Sequence, residues 1–269
     1  MGRLSFEDAV SDFICGNEKN TAEGVRIFDR PLFGYGSAKD PLYASFKGNA
    51  EANLPYLILP EEWLPGARTV ISVFVPFTDA VRKSNRGGTD ASLGWAVGRM
   101  EGQNLLSEAA GFAVGFLEGE GAPAVMPLCD RRMQVAKKPG SNPNLPPDAH
   151  YTSTWSERHN GFICGLGTFG LSKGLITAKG MAGRMFSIIT EAVFPITERG
   201  YTGLYEYCTG CGACIKRCPA GAITAKGKDH ELCVDIILRS MVTLAPRYGC
   251  GKCQCGVPCE AGIPAKGRR

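Results

Sequence analysis

Four cysteines, Cys208, Cys211, Cys214 and Cys218, are spaced as C-x2-C-x2-C-x3-C, and Pro219 follows the last of them. This spacing is typical of iron–sulfur sites, because a looping backbone with two residues between ligands reaches adjacent corners of a cubane. Zinc also binds Cys-x2-Cys pairs, but four tetrahedral ligands do not explain a third cysteine at the same spacing followed by Cys-Pro. The motif therefore predicts that this protein moves electrons.

A second set of cysteines follows the motif, as a protein with two 4Fe-4S clusters requires. In the two-cluster pattern, three cysteines hold one cubane and the fourth ligates the other. This topology predicts two ligand sets: Cys208, Cys211, Cys214 and Cys259 for one cluster, and Cys218, Cys233, Cys250 and Cys253 for the second. Cys255 lies only two residues from Cys253, and we expect it to be either an alternative to Cys259 or a bystander near the clusters.

The distribution of cysteines predicts two domains. Nine of the twelve cysteines fall between positions 208 and 259 of the 269-residue chain, so we expect a larger domain at 1–200 and a two-cluster ferredoxin-like domain at 201–269. The remaining three, Cys15, Cys129 and Cys164, are expected to pack as small buried hydrophobic residues. Disulfide scaffolds are short and secreted, whereas the first residues show no apolar signal region, so a reducing cytoplasm is expected.

The charge balance decides little about partners, whereas the hydropathy argues against a membrane-spanning protein. The net charge is only +4, whereas proteins that bind nucleic acids usually carry a strongly basic face. No apolar run approaches the roughly 20 residues that span a bilayer. We therefore expect a soluble protein that does not insert into membranes.

The hydrophobic pattern alternates helices and strands before the cysteine-rich region. Residues 6–14 predict an amphipathic helix with Ser5 as N-cap, and residues 91–120 predict a long, glycine-rich helix. Residues 68–77 and 184–194 predict core strands, and residues 124–128 a short one. The proline-rich and glycine-rich residues 31–60 predict a long irregular segment. The order predicts an α+β fold, an α/β sandwich of helices on a sheet.

Polar residues before a glycine-rich turn could perform acid–base chemistry. Tyr151 can donate a proton, and Arg158 can stabilise developing negative charge. His150, Glu157 and His159 lie beside them. The alternative is an ordinary solvated loop, and His230, which follows Lys228 and Asp229, is expected to be exposed.

The glycine-rich turn predicts either a cofactor contact or a tight turn without a ligand. Its residues are Gly165, Leu166, Gly167, Thr168, Phe169 and Gly170. The G-x-G-x-x-G spacing matches the dinucleotide fingerprint, but that fingerprint needs a helix beginning within the glycines, and the following residues favour extended chain. Close backbone approach to a large flat group is the functional alternative.

Residues 55–77, the turn that begins at Cys164 and the double cysteine module resemble the epoxyqueuosine reductases, which are relatives of the reductive dehalogenases. The resemblance implies a cobalamin-binding domain of nitroreductase-like fold joined to the two-cluster domain. It also implies that the clusters reduce cobalt to Co(I), which reduces an organic substrate.

The resemblance implies a proton donor about a dozen residues before the glycine-rich turn. Epoxyqueuosine reductases have an acid in that register, but this sequence has Tyr151 there, and dehalogenases use a tyrosine. The missing acid, the shorter chain and the lack of repeats after the clusters make tRNA a weaker expectation than a small-molecule substrate.

Together these features predict a cytoplasmic iron–sulfur reductase that passes electrons through two 4Fe-4S clusters to bound cobalamin. A low-potential donor such as ferredoxin or flavodoxin is the expected partner. Two alternatives stay open: a flavin-dependent reductase on the same fold, and an electron-transfer or corrinoid-activating protein without a small substrate of its own.

Overall fold

The computed structural model describes residues 3–265 of the chain; residues 1–2 and 266–269, which the two predicted domains include, lie outside the described residues. The helices are α1 (Arg3–Gly16), α2 (Leu42–Gly48), α3 (Pro60–Trp63), α4 (Asp79–Ser84), α5 (Leu93–Gly119), α6 (Glu157–Ile163), α7 (Ala213–Arg217), α8 (His230–Arg239) and α9 (Met241–Leu244). Short 3-10 helices occupy Glu18–Asn20, Pro127–Cys129 and Lys252–Gln254.

Within residues 3–265, the strands form one four-stranded sheet and four two-stranded sheets. The strands are β1 (Thr21–Ala22), β2 (Val25–Arg26), β3 (Leu32–Ser37), β4 (Thr69–Pro76), β5 (Ala124–Val125), β6 (Val135–Ala136), β7 (Thr152–Ser153), β8 (Gly167–Phe169), β9 (Leu175–Thr177), β10 (Gly183–Thr190), β11 (Ile223–Thr224) and β12 (Gly227–Lys228). The central sheet has the order β3-β4-β10-β5, and every pairing in it is antiparallel.

Strand β4 is buried on both faces because helices cover both sides of the sheet. Ile71, Val73 and Val75 belong to the apolar core formed with α1 and α5. The alternate residues Val70 and Phe74 belong to a second core formed with α2 and α6. This explains why the strand lacks the alternation of a half-exposed strand, and it makes the molecule a mixed helix and sheet structure, as predicted.

Most of the predicted elements are confirmed, with shifted ends. Strand β4 and helix α5 fall within the predicted ranges 68–77 and 91–120. Helix α1 includes Ser5, which is therefore not its N-cap. Strand β10 ends at Thr190, four residues before the predicted end. The division into domains at residue 200 stays a prediction.

The prediction of an irregular segment at 31–60 is wrong, because it contains β3 and α2. Strand β3 was not predicted because it contains Gly34 and Gly36, and glycine is uncommon inside strands. A Cβ atom at Gly34 would lie 2.3 Å from the carbonyl oxygen of Cys164, and one at Gly36 would lie 3.0 Å from the Cys164 sulfur. These glycines therefore permit the end of α6 to approach the sheet closely.

Within residues 3–265, no helix is both long enough and apolar enough to cross a lipid bilayer. The longest helix, α5, instead packs its small residues against the sheet. A Cβ atom at Gly98 would lie 2.8 Å from the Phe77 ring, and one at Gly102 would lie 2.8 Å from the Phe28 ring. Gly98 and Gly102 thus permit close packing of α5, whereas a Cβ atom at Gly115 would meet nothing within 4 Å.

A carboxylate is buried where α6 meets the sheet. Both carboxylate oxygens of Glu157 are shielded from solvent and lack a hydrogen-bond partner of normal geometry. Burial raises the pKa of Glu157 to about 7, and the nearby Ser187 hydroxyl offsets only part of this effect. The Ser187 hydroxyl already accepts a hydrogen bond of 2.8 Å from Trp155 Nε1.

Replacing Glu157 by Gln is expected to stabilise the protein at alkaline pH. The folded protein has a raised pKa at this position, so its stability is highest below the unfolded pKa of about 4.5 and is lost as pH rises towards 7. Two to three pKa units correspond to about 3 kcal/mol at pH 8. Urea unfolding should therefore show that the free energy of unfolding of Glu157→Gln, relative to that of wild type, is higher at pH 8 than at pH 5.5. Exposed Glu118→Gln is the matched control, and a Glu157→Gln protein less stable than wild type at pH 8 would contradict this account.

Candidate functional site

The structure brings the predicted ligands of the first cluster around one small cavity. Cys208, Cys211, Cys214 and Cys259 all line it, with apolar side chains such as Met181 and Val257 between them. The cavity encloses about 20 Å³, so the thiols have to move outward around a cubane. The donor set, four cysteines against apolar walls, is that of a 4Fe-4S site.

The predicted ligands of the second cluster line a different and larger cavity. Cys218, Cys233, Cys250 and Cys253 lie in one wall of a cavity of about 430 Å³. The eight cysteines therefore separate into two groups of four, in the partition expected from the sequence. In residues 3–265, no three Cys, His, Asp or Glu side chains converge on a point where they could hold one metal ion; the thiols surround cavities instead.

Short elements and tight turns position the cysteines. Cys214 lies on α7, whose N-cap Gly212 adopts a left-handed φ of 71° that favours glycine. Cys233 lies on α8, which the Asp229 side chain caps by accepting a hydrogen bond of 3.0 Å from the Leu232 amide. Because the chain turns sharply between ligands, cysteines that are close in sequence can reach different cavities.

Burial governs the ionisation of these thiols. Burial, followed by repulsion from neighbouring cysteines, raises the pKa of Cys259 to about 12. Burial likewise raises the pKa of Cys253 to about 12, although Lys228 beside it acts in the opposite direction. Such thiols stay protonated at neutral pH without a metal, whereas a coordinating thiol is deprotonated.

The remaining cysteines line neither cavity. Cys255 is fully buried, and its sulfur accepts a long hydrogen bond of 3.8 Å from Asn85 Nδ2. The bystander interpretation of Cys255 is therefore the one that fits the structure. Cys164 is buried as predicted, Cys15 is only half-buried, and the prediction that Cys129 is buried is wrong because its side chain is exposed.

Tyr151 and Arg158 line the same large cavity as the second group of cysteines. Tyr151 has φ of +45°, which is uncommon for a bulky residue and is a type of strain that concentrates at functional sites. The Asn53 side chain donates hydrogen bonds of 3.0 Å to the carbonyl oxygens of both His150 and Tyr151. The backbone at the predicted proton donor is thereby fixed.

Two histidines also line the large cavity, and both are held neutral. The prediction that His230 is exposed is wrong, because its ring stacks on Tyr151 with centroids 3.3 Å apart. Burial, followed by the charges of Lys228 and Lys173, lowers the pKa of His230 to about 3. Burial and Arg158 do the same for the pKa of His159. No sequence motif marks His230; only the approach of α8 to the loop at Tyr151 brings it into the site.

The glycine-rich turn contributes little to the cavity wall. Extended chain follows the glycines as predicted, since β8 and β9 form a hairpin. A Cβ atom at Gly165 would lie 2.7 Å from Thr197, and one at Gly167 would lie 1.9 Å from the Ile176 carbonyl oxygen. Among the six residues predicted as cofactor contacts, Phe169 lines the large cavity and Gly170 the small one, whereas Gly165, Leu166, Gly167 and Thr168 line neither.

Comparison with known proteins identifies the cluster domain. A family described as a 4Fe-4S binding domain matches residues 204–224, which include Cys208, Cys211, Cys214 and Cys218. This match confirms the predicted 4Fe-4S binding domain in that segment. The sequence matches no curated protein.

Several solved structures share the overall fold. The epoxyqueuosine reductase from Streptococcus thermophilus is 16% identical, with a TM-score of 0.52 over 96% of this chain and 66% of that one. An epoxyqueuosine reductase with an epoxyqueuosine-modified tRNA-Tyr stem loop is 13% identical, with a TM-score of 0.55 over 96% and 64%. A catabolic reductive dehalogenase is 15% identical, with a TM-score of 0.51 over 87% and 30%.

These likenesses confirm the predicted resemblance at the level of the fold. The chain spans slightly less than two thirds of the length of either epoxyqueuosine reductase. Substrate, organic cofactor and partner therefore have to be argued from the residues of this chain.

The ligand partition predicts different outcomes for two neighbouring cysteines. Cys253→Ala should remove the second cluster, because Cys253 lines the large cavity with the other three thiols. Cys255→Ala should keep both clusters, since Cys255 lines neither cavity, and it is the matched control. Iron analysis of anaerobically prepared protein should give about four irons for Cys253→Ala and about eight for Cys255→Ala. Equal iron loss in both variants would contradict the partition.

Proposed function

We propose that this protein is an iron–sulfur reductase that carries electrons through two 4Fe-4S clusters to a substrate bound in the large cavity. The observation that carries the proposal is the second group of four cysteines, which lines the same cavity as Tyr151 and Arg158. When bound, the clusters supply one-electron transfer at low potential.

The two cysteine groups have different exposures, which gives the electron path a direction. Cys211 of the first group is exposed, whereas Cys253 of the second faces the interior cavity. We place electron entry at the first group, with a low-potential donor such as ferredoxin or flavodoxin as the partner. Free thiols as cluster ligands also fit a reducing cytoplasm.

Tyr151 and Arg158 are the proposed catalytic residues. Tyr151 would donate a proton from its hydroxyl to the reduced substrate, and Arg158 would stabilise negative charge that develops beside it. His159 and His230 are poor proton donors here, because both pKa values are lowered to about 3. We therefore favour Tyr151 over the two histidines as the proton source in the cavity that holds the second cysteine group.

The organic cofactor is constrained by the size of the cavity. Cobalamin is supported by the fold, which we propose to be nitroreductase-like in its first 200 residues. A corrinoid with its nucleotide tail, however, is larger than the ligands that pockets of about 300–1,000 Å³ normally enclose. The cavity has a volume of about 430 Å³, including the space beside the cysteines, and it opens to solvent beside the exposed residues Arg158 and Leu238. A corrinoid bound here would therefore extend out of the cavity, and we derive no step through it.

A flavin-dependent reductase on the same fold is the second candidate. The volume of about 430 Å³ suits a smaller flat cofactor, and aromatic residues such as Phe169 and Tyr205 line the cavity. An electron carrier without a substrate would not need such a cavity, so we favour an enzyme. One fold relative was solved with a tRNA stem loop, but the half-buried position of Tyr151 in the same cavity as the second cysteine group favours a small-molecule substrate here.

The visible spectrum of the anaerobically reconstituted protein separates the cofactor hypotheses. Cobalamin binding predicts that added cob(II)alamin changes its cobalt EPR signal. Flavin binding predicts instead that flavin mononucleotide co-purifies through gel filtration and that the cobalt signal stays that of the free cofactor. Clusters that reduce neither cofactor nor any organic acceptor would contradict the reductase and favour an electron carrier.

Tyr151→Phe is expected to slow substrate turnover by about 10²–10⁴-fold, the usual contribution of a positioned proton donor. Reduction of the clusters by dithionite should be unchanged, because the hydroxyl is not a ligand. Tyr56→Phe, outside the cavity lining, is the matched control. Wild-type turnover in Tyr151→Phe would remove Tyr151 as the donor.

A further inference from the structure

The large cavity is lined by far more positive than negative side chains. Glu51 is its one carboxylate-bearing residue among the described residues, and the cations are Arg99, Lys137, Arg158, Lys173, Arg184 and Lys228. None of these six forms an ion pair with a carboxylate of residues 3–265. Unpaired cations are costly to place in a cavity unless a ligand balances them.

Arg184 is the clearest case. The neutral Gln103 side chain accepts two hydrogen bonds from the Arg184 guanidinium, one of them 3.0 Å long from Nε. Burial, followed by the charges of Arg99 and Arg158, lowers the pKa of Arg184 to about 9. Arg99 and Arg158 therefore both repel the Arg184 guanidinium, and no carboxylate in the described part of the chain forms an ion pair with it.

Arg99 is also incompletely satisfied. Its guanidinium carbon lies 4.5 Å from the centroid of the Tyr248 ring. Its Nε atom is shielded from solvent and has no hydrogen-bond partner among the described residues. The amide nitrogen of Gln103, one turn along α5, is unpartnered as well. Buried donors without partners indicate a missing acceptor.

The second cluster does not account for these arginines. An oxidised cubane with four thiolates carries about two negative charges, which is fewer than the cavity cations supply. Lys228 lines the cavity together with Cys233 and Cys253. Arg184 instead donates its hydrogen bonds to the uncharged Gln103 side chain.

We infer that the large cavity binds a small molecule bearing an oxyanion, a phosphate or a carboxylate, between Arg99, Arg158 and Arg184. A guanidinium donates two parallel hydrogen bonds to such a group, and several guanidiniums around one site are typical of phosphate and carboxylate recognition. Arg99 and Arg184 are half-buried in a cavity rather than spread over an exposed face, which favours a small ligand over nucleic acid. The inference rests on the proposed function, for which it names the chemical class of the ligand.

The test is calorimetric titration of the reconstituted full-length protein with pyrophosphate and with citrate. Arg184→Met and Arg99→Met should each weaken binding of the preferred probe by about 10–100-fold, the effect of a charge-assisted hydrogen bond. Arg68→Met is the matched control, because Arg68 is exposed and precedes β4 at the end of the sheet opposite Arg184. Wild-type affinity should also fall as salt is raised.

A second pair of probes distinguishes a cofactor oxyanion from a substrate oxyanion. If flavin mononucleotide binds more tightly than riboflavin and Arg184→Met abolishes the difference, the oxyanion belongs to a cofactor. If pyrophosphate or citrate binds but flavin mononucleotide does not, the oxyanion belongs to the substrate. Either result supports the inference.

The inference is overturned if neither pyrophosphate, citrate nor flavin mononucleotide binds to wild type in a salt-sensitive way, or if Arg68→Met loses as much affinity as Arg184→Met. Should Arg184→Met fail to fold, Arg184→Lys keeps the charge and is expected to bind more weakly than wild type. Iron content is measured on the same samples. Full iron without oxyanion binding rejects this inference alone, whereas oxyanion binding in protein that takes up no iron rejects the reductase.

Discussion

One buried asparagine joins the cysteine-rich segment to the rest of the molecule. Asn85 donates a hydrogen bond of 2.9 Å from Nδ2 to the Cys250 carbonyl, and its Oδ1 accepts one of 3.0 Å from the Ser92 amide, where α5 begins. Its backbone carbonyl accepts hydrogen bonds from Arg217 and from the buried Lys252 ammonium. The position of the second cysteine group relative to the cavity depends on this set of contacts.

The same cavity is lined by both apolar and positively charged side chains. Strand β10 and α5 supply Arg184 and Arg99, whereas the cysteine-rich segment supplies Lys228. Lysine beside the second thiol group suits a cluster of negative charge, and the arginines suit a ligand of negative charge. Both low pKa values of His159 and His230 follow from this concentration of cations in a buried space.

Predictions from the sequence were most accurate where residues close together in sequence determine the structure. The cysteine spacing determines the two ligand groups, and the apolar run of β4 can only be a strand covered on both faces. Prediction from the sequence failed where a contact between residues distant in sequence determines the local structure. The glycines of β3 led to a prediction of irregular chain. The contact that requires a glycine at position 34 is made by Cys164, which is 130 residues away in sequence. His230 was predicted to be exposed because no residue near it in sequence indicates that its ring stacks on Tyr151.

The central claim is that eight thiols hold two cubanes, and metal content tests it most directly. Protein purified without oxygen should contain about eight irons and eight labile sulfides per chain, with absorption at about 400 nm and no stoichiometric zinc. Zinc at about one ion per cysteine group, with no absorption in that region, would show that the cysteines fold the protein around structural metal and would contradict the account.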